Sequence, residues 1–285
     1  MSRIRTLANA WLAFWRLLWQ LGVRDIQSRY KGSVLGILWS FITPLLTVAL
    51  YTFLFSYVFK SQWGEDMRSP LARQMSQGQS THSQYALVLF AGLIVHSFLA
   101  DIMVRACWVI TSQANLVKKV VFPLHVLPTV VVFSALFQWI ISTGLLLLAL
   151  VVSAGWNFEE VIFVSWFSLP LLMFPLVLVG LGVAWFLAGV GVFLRDLGQL
   201  MSWIVMALMF SAPILYPLAN LPAAYREWFY LNPLTWVVET LRHVIYWGVW
   251  PRWDEWFIFL SASFFIAFAG SWVFGRMKKG FADVL

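Results

Sequence analysis

The chain has 285 residues, 61% of them hydrophobic and only 11% charged, too little polar surface to cover a soluble globule of that length. The net charge is +7, but no five basic residues run together. The basic residues are shared among short segments between apolar runs, the pattern of membrane topology rather than of nucleic-acid binding. The single Cys107 excludes an intrachain disulfide and, lying in an apolar run, reads as a small core residue.

Met1 to Tyr30 has charges scattered through its apolar positions, so no cleavable signal pattern is visible. Thr6 to Gln27 reads as an amphipathic helix. At 100° per residue Arg5, Asn9, Arg16, Gln20 and Gln27 share one narrow face, and Leu7, Trp11, Phe14, Leu18 and Leu21 fall opposite. Such a helix lies in the membrane interface or, alternatively, binds a soluble partner. The stretch that follows, Arg24-Asp-Ile-Gln-Ser-Arg-Tyr-Lys-Gly-Ser-Val-Leu-Gly-Ile-Leu-Trp-Ser-Phe-Ile-Thr-Pro-Leu-Leu, organises the rest. Arg24, Asp25, Arg29 and Lys31 sit where a helix would meet lipid headgroups. Gly32 to Phe59 then holds no Asp, Glu, Lys or Arg. With no linker between, this predicts a first span of roughly 28 residues, or about 42 Å, enough to cross a hydrocarbon core of about 30 Å with tilt.

Lys60 to Ser83 is a polar loop of roughly 24 residues. The second span opens at Gln84 and contains Asp101 and Arg105, whose i, i+4 spacing lowers the cost of charge near lipid. They read as a structural pair near the cytoplasmic end or at a subunit contact, or else as a proton relay or substrate counter-ion. A third span fits within Leu124 to Val152, followed by a turn at Gly155-Trp-Asn and by Glu159-Glu160. Val161 to Leu194 predicts a fourth span kinked at Pro170 and Pro175, closed by Arg195-Asp196. Met201 to Pro217 predicts a fifth, broken near Pro213 and Pro217. Asn220 to Trp253 alternates short apolar pieces with prolines and charges. Two short amphipathic helices that enter and leave on one side fit it, as does a surface loop. Trp256 to Phe274 is the sixth span, closed by Arg276, Lys278 and Lys279.

With the N-terminus inside, the cytoplasmic segments hold twelve Lys and Arg against six outside, and about eight of the twelve acids lie outside. Both termini are therefore expected in the cytoplasm. The expected organisation is an all-α integral membrane protein: residues 1–31 as a cytoplasmic N-terminus with an interface helix, 32–275 as a six-helix domain with short re-entrant or interfacial helices between spans five and six, and 276–285 as a cytoplasmic tail.

No Gly-x-x-x-x-Gly-Lys-Ser/Thr loop and no His-x-x-x-His or Cys-x-x-Cys spacing is present. His82, His96, His125 and His243 fall in separate segments. Neither nucleotide hydrolysis nor a metal centre is expected of this chain. Aromatic residues make up 18% of it. Most of the Trp suits an interfacial belt, but Trp39, Phe41, Tyr51, Phe53, Phe55 and Tyr57 lie too deep in the first span for that. They line a path through the membrane, or they face lipid and pack helices.

The pattern Arg-Asp-x-x-x-Arg-Tyr-Lys-x-Ser-x-Leu-Gly-x-x-Trp-x-x-x-x-Pro-Leu at Arg24 resembles the start of the membrane subunit of ABC-2-type polysaccharide exporters, which move O-antigen, capsule or teichoic acid chains. Asn115-Leu-Val-Lys-Lys-Val-Val-Phe-Pro-Leu, Arg195-Asp196, Ser211-Ala-Pro-Ile-Leu-Tyr216 and Asn232-Pro233 extend the resemblance, in order, over nearly the whole chain. It implies a permease in the bacterial cytoplasmic (inner) membrane that pairs with itself and with two copies of an ABC ATPase subunit, which would bind the ATP and magnesium. The substrate implied is a lipid-linked polysaccharide.

In that setting Arg24, Asp25, Arg29, Tyr30, Lys31, Leu35 and Gly36 form the cytoplasmic membrane-interface motif. The segment Ser112 to Pro123 corresponds to a coupling helix, with Asn115, Lys118 and Lys119 exposed and Phe122 as an apolar anchor before Pro123. A plain positive-inside loop is the alternative for it. An ABC-2 permease for a drug or lipid is a rival reading of the chain. An ion-coupled carrier would be expected to show several intramembrane acids or repeated halves, and a glycosyl-transfer enzyme carboxylates at one face.

Overall fold

The computed structural model describes residues 2–54, 81–119, 122–153, 164–218 and 221–285, with the side chains of 2–11, 52, 81–85, 117–119, 153 and 223 left aside. Among these residues the regular structure is all helical. In chain order the helices are α1 Ser2–Arg29, α2 Trp39–Thr52, α3 Thr81–Ala106, α4 Ala114–Lys119, α5 Val126–Ser153, α6 Leu169–Phe193, α7 Leu197–Phe210, α8 Ala223–Phe229, α9 Pro233–Arg242, α10 Trp253–Met277 and α11 Phe281–Val284.

Among the described residues four stretches are long and apolar enough to cross a bilayer: Ala86–Ala106, Val126–Val152, Val164–Phe193 and Trp253–Val284. Two shorter apolar stretches, Gly36–Tyr51 and Leu197–Phe210, stand where the first and fifth spans were expected. Helices hide every backbone polar group from lipid, which is why uninterrupted apolar sequence of this length folds this way in a membrane.

α3 is the centre of the bundle. Its apolar stretch is 78% buried, against 17% for that of α10, and it packs on α2, α5, α6, α7 and α9. The main core joins Phe90, Ile94, Phe98 and Ile102 of α3 to Leu146 and Leu150 of α5, Leu172 and Leu176 of α6, and Val237 and Leu241 of α9. α10 is held at the edge by α6, and small residues permit the contact. A Cβ at Gly182 would collide with the Ile266 carbonyl, and one at Gly270 with the Gly182 carbonyl. This is the small-residue packing that lets membrane helices approach without a hydrophobic driving force.

At one end, termed here the terminal face, Ile110, Leu127, Ala188, Val192, Phe274 and Phe281 form a second cluster. Beside it Leu18 of α1 packs on Val126 and Val130 of α5. α1, the link from α3 to α5, the ends of α6 and α10, and the C-terminus therefore meet at one face.

The sequence boundaries are corrected in three places. First, the first span opens later than Gly32. Residues 30–35 turn between α1 and α2, and Gly32 (φ 89°) and Gly36 (φ 51°) adopt backbone conformations that residues with a Cβ avoid. Thus α2 starts at Trp39, after a 3-10 turn Gly36–Leu38; the remainder of the expected span, from Phe55, lies outside the described residues. Second, α7 runs Leu197–Phe210, starting and ending earlier than expected. Its 14 residues reach only about 21 Å, and the chain turns before Pro213. Third, α6 opens at Leu169, later than the expected Val161: Pro170 sits in its first turn, where no intrahelical N–H bond is lost, and the helix runs on through Pro175 to Phe193.

The segment after α7 forms two short helices, α8 and α9. Asn232 joins them: its side chain caps α9 by accepting from Leu234 N at 2.9 Å and donates Nδ2 to Leu208 O at 3.0 Å and Ser211 Oγ at 2.9 Å. The Asn232-Pro233 pair is thus a cap and first turn tied to the end of α7.

Candidate functional site

Where α1, α3 and α5 converge, four charges from two distant parts of the sequence form one cluster. Arg29 Nη2 donates to Asp101 Oδ2 at 2.8 Å. Arg105 bonds both acids, donating Nη2 to Asp25 Oδ2 at 2.6 Å and Nη1 to Asp101 Oδ2 at 3.3 Å. Arg29 Nε lies 3.8 Å from the same Asp25 oxygen, and the buried Ser134 hydroxyl of α5 donates to it as well. Helical spacing explains the layout: Asp25 and Arg29 are one turn apart on α1, and Asp101 and Arg105 one turn apart on α3.

Two arginines and two aspartates cancel. The side chains are 22–29% exposed, so each charge is half withdrawn from solvent and depends on the others. Next to this cluster Ser40 Oγ donates to Tyr30 Oη at 2.7 Å, and Gln138 Nε2 donates to Ser40 O at 2.9 Å. These bonds fasten the start of α2 to α1 and α5.

The seven interface residues expected from sequence therefore divide. Asp25, Arg29 and Tyr30 turn inward and bind the bundle; Arg24, Lys31 and Leu35 are exposed, and Gly36 supplies a turn. On α2, Trp39 donates Nε1 to Ser33 Oγ at 2.8 Å. Trp39, Phe41 and Phe53 are exposed, whereas Tyr51 packs against the main core. At 100° per residue Trp39 and Phe53 share a face and Phe41 lies nearly opposite, so the described half of the span carries no single aromatic stripe. Phe55 and Tyr57 lie outside the described residues.

The expected coupling segment is helical as α4, with Asn115 and Pro123 exposed. Lys118 and Lys119 lie on it by backbone position. Phe122 is half-buried. Its ring packs against both apolar clusters of the terminal face, so it anchors the α4–α5 link to its own bundle. His125 follows, its ring 4.7 Å from that of Phe274. Burial holds its imidazole below the ordinary pKa, and the Lys278 ammonium pushes the same way.

Two sets of residues escaped the sequence reading. Ser134, Gln138 and Ser142 recur every four residues in an otherwise apolar helix, a polar stripe that periodicity alone reveals. The other is Arg242, which is fully buried at the opposite end of α3. It donates Nη1 to Pro213 O at 2.6 Å, Nη2 to Ile214 O at 2.8 Å and Nε to Val88 O at 3.3 Å, and it pairs with Glu239 at 3.1 Å. Among the described residues no group of three or more His, Cys, Asp or Glu is suited to a metal ion.

Residues 16–246 match the family described as ABC-2 type transporter. The chain is 27% identical to the O-antigen export system permease protein RfbA of Myxococcus xanthus, over 94% of both chains. Two O-antigen export system permease proteins RfbA of Klebsiella pneumoniae are 25% and 24% identical, over 92% of each chain.

Proposed function

This chain belongs to the ABC-2 type transporter family, and from that premise we propose that it is the permease subunit of an ATP-driven exporter of a lipid-linked polysaccharide of the O-antigen class. The observation that carries the reading is the end-to-end likeness to O-antigen export permeases, which spans 94% of both chains. The chain is multi-pass, and its charge distribution supports a bacterial inner-membrane location with the terminal face in the cytoplasm.

In this reading two copies of the chain assemble with two ATPase subunits. The exposed apolar side chains of α2, among them Leu45, Leu46 and Leu50, support a face reserved for lipid, polymer or the second copy. The ATPase docks at α4. A push on α4 reaches α3 and α5 directly, because α4 lies between them in the chain. Both of those helices hold Asp25, through Arg105 and Ser134, so the push also bears on α1 and on the turn into α2. The membrane-interface cluster then acts as a clasp between the ATPase-driven helices and the helix that borders the polymer path.

Deleting the gene should remove the polysaccharide from the cell surface and leave lipid-linked polymer on the inner leaflet. Unchanged surface polymer overturns the reading. For the coupling role, a cysteine at Asn115 should cross-link to the ATPase. Replacing Ala114 to Lys119 by a Gly/Ser linker should abolish transport-stimulated hydrolysis; retention of both the partner and that stimulation overturns the coupling assignment.

A further inference from the structure

A groove of about 480 Å³ opens between α1 and α5, floored by Leu18 and Phe133 and walled by Leu12, Trp15, Arg16, Trp19 and Gln20. Leu12, Trp15, Arg16 and Trp19 fall at i, i+3, i+4 and i+7, one outward stripe of α1. Leu12 is 55%, Trp15 54% and Trp19 62% exposed, so this stripe sets two large indoles and a leucine around one exposed guanidinium. Trp19 is braced by an edge contact to Phe133 at 5.8 Å. Among the described residues no acid lines the groove, and residues 1–24 contain four arginines and no Asp or Glu. Among the described residues no ion pair joins Arg16 to an acid.

We infer that this groove is a binding site for one anionic phospholipid of the surrounding bilayer, its phosphate held by Arg16 with Gln20 and its glycerol and upper acyl chain laid between Trp15, Trp19 and Leu12. Charge complementarity selects an anion. The two indoles select the headgroup level, where Trp concentrates because one end of the ring is apolar and the other wet. Basic pockets between helices at the membrane surface are suited to such headgroups. The volume suits a single headgroup with part of its chain. The site fixes the depth and roll of α1, and with it the Asp25 and Arg29 end of the same helix. It does not depend on the cargo.

The full-length chain is reconstituted in nanodiscs of phosphatidylcholine and phosphatidylglycerol in equal amounts, and the lipids that stay bound through delipidation are measured by native mass spectrometry. Phosphatidylglycerol should be enriched over the bulk. Arg16→Gln should cut that enrichment about fivefold, the equivalent of about 1 kcal/mol for one basic residue at the surface, while Lys279→Gln leaves it in place. In pure phosphatidylcholine, Arg16→Gln should melt like the native chain. Absence of enrichment, an equal loss with Lys279→Gln, or a lower melting point of Arg16→Gln in phosphatidylcholine overturns the site. A photo-crosslinker at Gln20 should capture lipid. Capture of a second copy of the chain or of the ATPase in its place also overturns it.

Discussion

Arg242 and the Asp25, Arg29, Asp101, Arg105 cluster both hold charge inside the bundle, and both lean on α3. Their contacts at Val88 and Asp101 are separated by about 20 Å along that helix. The cluster balances charge with charge, two arginines against two carboxylates, each side chain about a quarter exposed. Arg242 is fully buried, and among the described residues its partners include three carbonyls and one carboxylate. Two of those carbonyls, at Pro213 and Ile214, belong to the turn after α7, where proline removes the helical donors. An unwound segment in a membrane leaves its carbonyls orphaned unless a side chain supplies donors, and a planar fork with five N–H groups supplies several at once. The cluster is therefore a tie between elements that can be parted at a moderate cost, whereas Arg242 is part of the wall that lets α7 stop short.

The largest effect is expected at Arg242. Arg242→Met leaves three carbonyls without this donor and Glu239 without its partner. At about 1–3 kcal/mol for each unsatisfied buried group, the loss is about 4 kcal/mol or more, seen as a large drop in the thermal midpoint and yield of purified protein. Glu239→Gln removes only the charge partner and should cost far less. If the two variants destabilise equally, Arg242 is an ion-pair residue like the others and the contrast fails. Arg242→Lys should fall between, because a point ammonium cannot reach the carbonyls that the fork spans.

Next comes the cluster. Arg105→Met leaves Asp25 and Asp101 to share Arg29 and should cost about 2–3 kcal/mol, less than a fully buried pair because solvent reaches all four groups. The exchange Asp25→Arg with Arg105→Asp should restore a large part of that loss in a double-mutant cycle. The corresponding exchange Arg242→Glu with Glu239→Arg should restore none, since carbonyls accept from a cation and repel a carboxylate. Rescue at both sites, or at neither, removes the distinction.

How much of this was legible in sequence follows the same division. Spans are written in uninterrupted apolar runs, so α3, α5 and α10 were placed to within a few residues, and α6 at its C-terminal end. The Asp101 and Arg105 pair followed from helical spacing on one element. Its partners Asp25 and Arg29 were named, but their meeting with α3 across more than seventy residues is a tertiary fact that local periodicity does not carry. Phe122 is similar: beside two lysines it reads as an apolar anchor, and only the packing shows which parts of its own bundle it touches. Arg242 was hidden because a cation between Pro251 and Asn232 looks like part of a surface loop. Its acceptors are backbone groups, which leave no signature in residue type. The break between α1 and α2 was partly legible, since two glycines four residues apart mark a turn, but the first span was begun at the start of the charge-free run, at Gly32, and α2 begins only at Trp39.

The smallest expected effect lies at Tyr30, at the edge of the cluster. Its hydroxyl accepts from Ser40 at 2.7 Å and donates to Gln138 Oε1 at 3.5 Å, the second being long for an O–H donor and so weak. Tyr30→Phe removes both bonds but keeps the ring. The buried Ser40 hydroxyl loses its acceptor, though a helical serine can turn toward a carbonyl one turn earlier. Gln138 keeps its bond to Ser40 O at 2.9 Å. The cost should therefore stay below about 1 kcal/mol, a shift of the thermal midpoint much smaller than that of Arg105→Met. A loss as large as the Arg105 variant's would mean that the α1–α2 turn, and not the ion cluster, is what clasps α1 to the bundle. The tie would then be a network of neutral hydrogen bonds, and added salt, which weakens part-exposed ion pairs, should leave its strength unchanged.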